Sequence, residues 1–138
     1  MAEPGPDNKE VESGKGMSIL SYFGILALIP YFAEKNNKFV RFHAIQGMNL
    51  LLVLVAYAIL YGIINAIVTA IAFGNCVTTV YGYYGGCASG AGAVMITNLI
   101  LGAVGIGFGI IAIIGIINAA SGKAKELPVV GKIKIIKK

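Results

Sequence analysis

The stretch that decides the fold is "IQGMNLLLVLVAYAILYGIINAIVTAIAF", Ile45–Phe73, which contains no charged residue. At ~1.5 Å per residue, a helix of this length exceeds the ~30 Å hydrocarbon core of a bilayer. A second run, "AVMITNLILGAVGIGFGIIAIIGIINAA", Ala93–Ala120, is equally apolar. Lys, Arg, Asp and Glu are absent from Ala44 to Gly122. The two runs predict two transmembrane helices.

The composition of the whole chain favours the same class of protein. Of its 138 residues, 57% are hydrophobic and 12% are charged, and the mean hydropathy is +0.82. A soluble domain is about a quarter charged and could not cover its surface with so few charges. The net charge of +5 does not predict nucleic-acid binding, because the basic residues flank apolar runs and no binding motif accompanies them.

A third apolar segment, Met17–Ala33, lies near the N-terminus and contains Pro30. Its seventeen residues reach about 25 Å, just short of a ~30 Å hydrocarbon core, and predict a short first span. The alternative is a helix that lies in the membrane interface or that dips in and returns. The predicted fold is an all-α integral membrane protein with three spans, in which the second and third form an antiparallel hairpin. The predicted regions are a disordered acidic tail at 1–16, a transmembrane domain at 17–122 and a basic cytoplasmic tail at 123–138.

The distribution of basic residues predicts the orientation. The linker Glu34–His43 holds three, the C-terminal tail holds six, and the loop Gly74–Gly92 holds none. The positive-inside rule therefore places the linker and the C-terminus in the cytoplasm of a prokaryotic cell, with the protein in the plasma membrane. Three spans would place the N-terminus outside; if the first segment does not cross, the N-terminus lies inside.

Small residues predict where the helices pack, because close approach replaces the hydrophobic drive within lipid. The second span repeats small residues every four positions, and the third contains a GxxxG motif; background glycine is the alternative explanation for the latter. We expect Asn65 and Asn98 to hydrogen-bond across the helix interface. The predicted packing positions are Ala58, Gly62, Ala66, Ala70, Gly105 and Gly109.

The chain has two cysteines, Cys76 and Cys87, and both fall in the loop predicted to face outside. An oxidising exterior favours a disulfide between them, and two reduced thiols are the alternative. A zinc site is not expected, because the one histidine of the chain is predicted on the opposite face.

The most polar cluster of the apolar region is "KFVRFHAIQG", Lys38–Gly47, at the entrance of the second span. Arg41, His43 and Gln46 are its candidate partner-contact residues, and a lipid-headgroup anchor is the plainer alternative. We find no catalytic, cofactor-binding or metal-binding constellation in the sequence, since one histidine without a carboxylate or serine partner is a poor base.

The stretch "LSYFGILALIPYFAEKNNKFVRFHAIQGMNLLLV", Leu20–Val53, resembles small prokaryotic membrane proteins related to the chloroplast import component Tic-twenty. The tail "GKAKELPVVGKIKII", Gly122–Ile136, resembles the ending of that family. The resemblance implies a helical membrane protein with a link to protein translocation, and Arg41, His43 and Gln46 are signature positions within it.

These observations predict a non-enzymatic multi-pass membrane protein. We expect an accessory or scaffold subunit of a membrane complex; a small oligomeric transporter or channel is the alternative. Its expected partners are a bilayer with anionic headgroups and other membrane proteins or copies of itself.

Overall fold

The computed structural model describes residues 6–74, 87–128 and 132, and within them every regular element is helical. Helix α1 spans Asn8–Leu20, a 3₁₀ turn spans Gly24–Ala27 and a short α2 spans Leu28–Ala33. The two long helices are α3, Lys38–Gly74, and α4, Cys87–Ala120. The described residues divide into two compact units, one comprising residues up to Leu54 with those from Phe108, the other lying within Val55–Gly107.

Two helices, Lys38–Ala72 and Gly90–Ala120, are long and apolar enough to cross a membrane. The prediction of two long apolar helices is therefore confirmed, and a third crossing is not confirmed within the described residues. The segment expected to cross first, Met17–Ala33, is broken into the end of α1, a chain reversal, the 3₁₀ turn and α2. Gly24 causes part of this break, because its φ of 56° is incompatible with a continuous right-handed helix.

Residues 8–16 form most of α1, so the expectation of a disordered tail over 1–16 is wrong for that part. The helix begins with a capping interaction in which the Asp7 amide donates to Glu10 Oε2 at 3.3 Å. Its buried Gly14 lies against α3, where an added Cβ would come within 2.6 Å of a Val40 methyl carbon. Charge alone predicted disorder here, and this packing against α3 opposes it.

The ends of α3 and α4 are set by local hydrogen bonds near α1. Asn37 caps α3, since its Oδ1 accepts from the Val40 amide at 3.1 Å, and its Nδ2 donates to the Glu10 carbonyl at 2.8 Å. Helix α4 ends in a Schellman motif at Gly122, whose φ is 69°. A Cβ on Gly122 would come within 2.7 Å of a Val11 methyl carbon. Helix α1 therefore lies beside both the start of α3 and the end of α4.

The unit within Val55–Gly107 is an antiparallel helical hairpin. The Tyr57 hydroxyl donates to the Leu101 carbonyl, and the Tyr61 hydroxyl donates to Asn98 Oδ1 at 2.6 Å. As the chain advances along α3, its partners on α4 move towards lower residue numbers, which defines the antiparallel arrangement expected from the sequence. The aliphatic side chains that point away from this contact are exposed, as Ile63, Ile67, Leu99 and Ile106 show.

Candidate functional site

The three candidate partner-contact residues of the polar cluster do not all lie in the same environment. Arg41 is exposed on the surface of α3, whereas His43 and Gln46 are buried, with 0% and 6% of their surface accessible. Residues 43 and 46 are three apart and share a helix face, while residue 41 lies on a different one. The cluster therefore separates into a surface cation and a buried polar pair.

The buried pair meets a third residue that the sequence did not single out. The Tyr22 hydroxyl lies 2.8 Å from His43 Nδ1 and donates to Gln46 Oε1 at 3.3 Å. Gln46 Nε2 in turn donates to the Lys125 carbonyl at 3.5 Å. We call these residues the Tyr22 network, comprising Tyr22, His43, Gln46 and the Lys125 carbonyl. It joins the turn after α1, the first turns of α3 and the segment after α4.

Aromatic rings enclose the imidazole of His43. The ring centroids of Phe39, Phe42 and Tyr22 lie 4.8, 5.4 and 5.8 Å from that of His43, and every ring meets it edge-on, at 71°, 90° and 74°. Such edge-to-face contacts contribute about 0.5–1.5 kcal/mol each beyond the area they bury. With the imidazole fully enclosed in this way, solutes do not reach it in this conformation.

The hydroxyl proton of Tyr22 can serve one acceptor at a time. A tyrosine hydroxyl is protonated at neutral pH, and burial raises the pKa of the Tyr22 phenol further above neutrality. It donates to Gln46 when His43 carries its proton on Nδ1, and to Nδ1 when the proton is on Nε2. The Lys123 backbone approaches the same ring. The Nε2 atom of His43 is buried and has no hydrogen-bond partner within the described part of the chain.

Two glycines, Gly47 and Gly115, allow the turn that carries Tyr22 to pack closely against α3 and α4. The Ser21 carbonyl and Gly47 are so close that a Cβ at position 47 would overlap the backbone of residue 21. The ring of Tyr22 lies against Gly115 of α4 in the same way, and a Cβ there would overlap the ring. Any larger residue at either position would force the turn after α1 away from the long helices.

The small-residue ridge predicted on α3 does not lie in the hairpin contact. Ala58, Gly62, Ala66 and Ala70 are all exposed, and nothing lies within 4 Å of a Cβ built on Gly62. Tyr57, Tyr61 and Asn65 occupy the facing stripe instead, and the ridge lies one residue, or about 100°, further around the helix. The contact is made by tyrosine hydroxyls that hydrogen-bond to α4, so it does not depend on small residues on α3.

The predicted packing positions on α4 differ from one another. Gly105 lies against α3, where its Cβ would sit 3.7 Å from the Tyr57 hydroxyl oxygen, whereas Gly109 faces open space. Asn98 bonds across the helix interface as expected. Asn65 does not, because its Nδ2 donates to the Tyr61 carbonyl of its own helix at 3.1 Å. The disulfide expected between Cys76 and Cys87 concerns side chains outside the described residues.

A family model for magnetosome magnetite crystal formation proteins matches residues 14–136. The chain belongs to the MamF/MmsF family. This is a membrane protein family of magnetosome formation, and together with the two apolar helices it indicates a membrane location. No curated protein and no solved structure gives a significant match.

The expected relationship to the Tic-twenty import family is wrong, because the family model that matches is the MamF/MmsF model. An involvement in protein translocation has no support either. The residues that carried the resemblance, Leu20–Val53, lie inside the matched region. In the structure they form the turn after α1, α2 and the buried start of α3. In this structure the motif therefore contributes to the packing of the helices.

Sequence reasoning missed Tyr22, Asn37 and the specific need for Gly47 and Gly115. Tyr22 fell inside a segment expected to cross the membrane, so its hydroxyl had no assigned partner. A signal was present in the spacing, since Gly47 follows directly on the polar pair His43 and Gln46 along the helix. Asn37 had the usual sequence signature of a helix cap, a polar amide immediately before an apolar helix.

Proposed function

We propose that this chain is a non-enzymatic, multi-pass structural protein of the magnetosome membrane that acts in magnetite crystal formation. The family match over residues 14–136 carries this proposal. The matched region includes α3, α4 and every residue of the Tyr22 network. The proposed function therefore belongs to the helical assembly as a whole and not to a separate appended segment.

The surface of the two long helices supports embedding in lipid. Large aliphatic side chains are exposed along both, including Ile59 and Ile67 on α3 and Met95 and Ile110 on α4. Exposing so many large apolar side chains to water would be unfavourable by about 1.5–3 kcal/mol for each side chain left unburied. Hydrocarbon removes this penalty, so the bilayer is the proposed environment of both helices.

The use of polar side chains supports a structural role over the alternative of a small transporter or channel. In the hairpin, the hydroxyls of Tyr57 and Tyr61 and the side-chain amides of Asn65 and Asn98 are engaged in hydrogen bonds within the protein. In the other unit, His43 and Gln46 are buried in the Tyr22 network. Polar groups bonded in this way stabilise packing, whereas a transport pathway presents them to the solute.

We propose that the basic end of the protein faces the cytoplasm. Lys35, Lys38 and Arg41 are exposed before and at the start of α3, and Lys123 and Lys125 are exposed after α4. The positive-inside rule assigns this end to the cytoplasmic face, where the partners would be anionic lipids and other membrane proteins or further copies of this chain. The connection between α3 and α4 then faces the magnetosome lumen.

The proposal is tested by deleting the gene in a magnetosome-forming bacterium and measuring crystal number and size by electron microscopy. We expect altered crystals, restored by the unchanged gene, and we expect the protein to copurify with magnetosome membranes. Unaltered crystals after deletion, or recovery of the protein away from magnetosomes, would contradict the proposal.

A matched pair of variants tests whether the function needs the packed structure around the Tyr22 network or only the presence of the protein in the membrane. Gly47→Ala introduces a Cβ that overlaps the Ser21 carbonyl, whereas Gly62→Ala introduces one into open space. We expect Gly62→Ala to restore normal crystals and Gly47→Ala to restore them incompletely. Full restoration by Gly47→Ala at equal protein abundance would show that the Tyr22 network is not needed for the function.

A further inference from the structure

The segment between the turn after α1 and the linker before α3 has two different faces. We call residues 23–33 the 23–33 segment. Its inner residues Ala27 and Pro30 are buried against the rest of the unit. Its outer side exposes five large apolar side chains, with Ile25 at 72% and Phe32 at 64% of their surface accessible. These five are Phe23, Ile25, Leu26, Ile29 and Phe32.

The 23–33 segment is too short to cross a bilayer. The 3₁₀ turn rises ~2 Å per residue and α2 rises ~1.5 Å per residue, which gives a length of at most about 20 Å. A hydrocarbon core is ~30 Å thick. The chain also changes direction at both ends of the segment, in the turn around Ser21–Phe23 and in the linker before Asn37. This geometry suits insertion into one leaflet.

Contacts on either side of the segment show that the chain returns to α1 after it. Asn37, which follows the segment, donates to the Glu10 carbonyl of α1 at 2.8 Å. Gly14 of α1 lies against Val40, and a Cβ at position 14 would come within 2.6 Å of a Val40 methyl carbon. Residues before and after the segment therefore meet directly, so a segment inserted in lipid would leave on the side from which it entered.

The charges that follow the 23–33 segment indicate what covers its exposed face. Beyond the half-buried Glu34, the segment is followed by three exposed cations, Lys35, Lys38 and Arg41. They would meet headgroup phosphates if the apolar face lay among acyl chains. The same unit exposes Ile113 and Ile117 on α4, one of the two helices suited to crossing. An apolar face flanked by cations fits the interfacial zone of an anionic leaflet.

We propose that the 23–33 segment is a re-entrant element that inserts its exposed apolar face into the leaflet on the side of the chain termini, beside anionic headgroups. The chain then crosses the membrane twice, and α1 lies on the same side as the segment after α4. The occupant of this face is lipid, and not a second copy of the chain.

The chain contains no tryptophan, so one introduced indole reports the depth of a single position. The full chain is reconstituted into vesicles of phosphatidylcholine and phosphatidylglycerol whose acyl chains carry bromine either near the headgroup or near the chain end. The reporter is Ile25→Trp. Ile63→Trp, an exposed position on α3, serves as the deep control, and Glu12→Trp, an exposed position on α1, serves as the aqueous control.

We expect the indole in Ile25→Trp to be quenched more strongly by the shallow bromines than by the deep ones, the reverse order for Ile63→Trp, and little quenching for Glu12→Trp. Deep quenching of Ile25→Trp equal to that of Ile63→Trp would mean that the segment crosses, and would overturn the proposal. Absence of quenching for Ile25→Trp alone would mean that protein or water covers the face, and would also overturn it.

The lipid charge is tested with the same reporters. Replacing phosphatidylglycerol by phosphatidylcholine should reduce the shallow quenching of Ile25→Trp and leave Ile63→Trp unchanged. Equal quenching of Ile25→Trp in both vesicles would remove the anionic preference. Crystal formation does not enter these measurements, so the proposed function can fail while this inference stands, and the reverse also holds.

Discussion

The Tyr22 hydroxyl lies 2.8 Å from His43 Nδ1 and bonds to Gln46 as well, so one phenol connects the turn after α1 to two positions of α3. Tyr22→Phe keeps the ring against Gly115 and removes only the hydroxyl. Because it leaves two buried polar groups without this partner, we expect a loss of about 1–3 kcal/mol in the free energy of unfolding. Thermal unfolding in detergent, followed by circular dichroism, measures the loss.

The control for that prediction is Tyr31→Phe, which removes the hydroxyl of a half-buried tyrosine outside the Tyr22 network. We expect its unfolding temperature to match that of the unchanged chain. Equal stabilities for Tyr22→Phe and Tyr31→Phe would mean that the hydrogen bonds of the network contribute nothing measurable.

Gly47 and Gly62 lie on the same helix and differ in what surrounds them. A Cβ at position 47 overlaps the Ser21 carbonyl, and a Cβ at position 62 meets nothing within 4 Å. We expect Gly47→Ala to lower the unfolding temperature, since overpacking costs about 1–3 kcal/mol or more. Gly62→Ala should leave it unchanged or raise it, because alanine favours helix over glycine by up to about 1 kcal/mol. A lower unfolding temperature for Gly62→Ala would mean that the small-residue ridge does take part in the hairpin contact.

Asn37 and Asn36 are adjacent, yet the structure gives them different roles. Asn37 caps α3 and bonds to the Glu10 carbonyl of α1, whereas Asn36 is exposed. Loss of a cap costs about 0.5–2 kcal/mol. We expect Asn37→Ala to lower the stability by at least this amount and Asn36→Ala to leave it unchanged. Similar effects from the two substitutions would contradict the assigned cap.

The Tyr61 hydroxyl and Asn98 Oδ1 are 2.6 Å apart within the hairpin. A double-mutant cycle with Tyr61→Phe and Asn98→Ala should give a coupling of about 0.6–1.7 kcal/mol, the range for hydrogen bonds between membrane helices. The matched cycle with Asn65→Ala should give little coupling, because Asn65 bonds to the Tyr61 backbone carbonyl and not to its hydroxyl. Chemical unfolding in mixed micelles provides the four stabilities for each cycle.

The sequence predicted the two long helices well because an uncharged run of that length has few alternatives in any solvent. The predicted C-terminal ends at Phe73 and Ala120 agree with helices that end at Gly74 and Ala120. The start of α3 lies earlier than predicted, at Lys38, since Asn37 caps the helix outside the apolar run. A hydropathy pattern locates the apolar run, but it does not locate a polar capping residue that lies outside that run.

The first span and the candidate site could not be predicted in the same way, because both depend on residues distant in sequence. Tyr22 contacts Gly115, and Gln46 donates to the Lys125 carbonyl. A hydrophobic pattern predicts each helix by itself and does not predict which residues of different segments meet. The apolar composition of residues 23–33 predicted a membrane span. Composition carries no information on the positive φ at Gly24 or on the return of the chain to α1, and these two features break the helix. The alternative in which this segment dips into the membrane and returns is the one proposed above.

The central claim is that the chain crosses the membrane twice, with α1 and the segment after α4 on the same side. Single cysteines at the exposed positions Glu12, Lys35 and Glu126, in a chain with Cys76 and Cys87 replaced by serine, test it most directly. We expect an impermeant maleimide to label all three from the cytoplasmic side of oriented membrane vesicles, and to label a chain that keeps only the native Cys76 from the other side. Labelling of Glu12→Cys and Glu126→Cys from opposite sides would contradict the account.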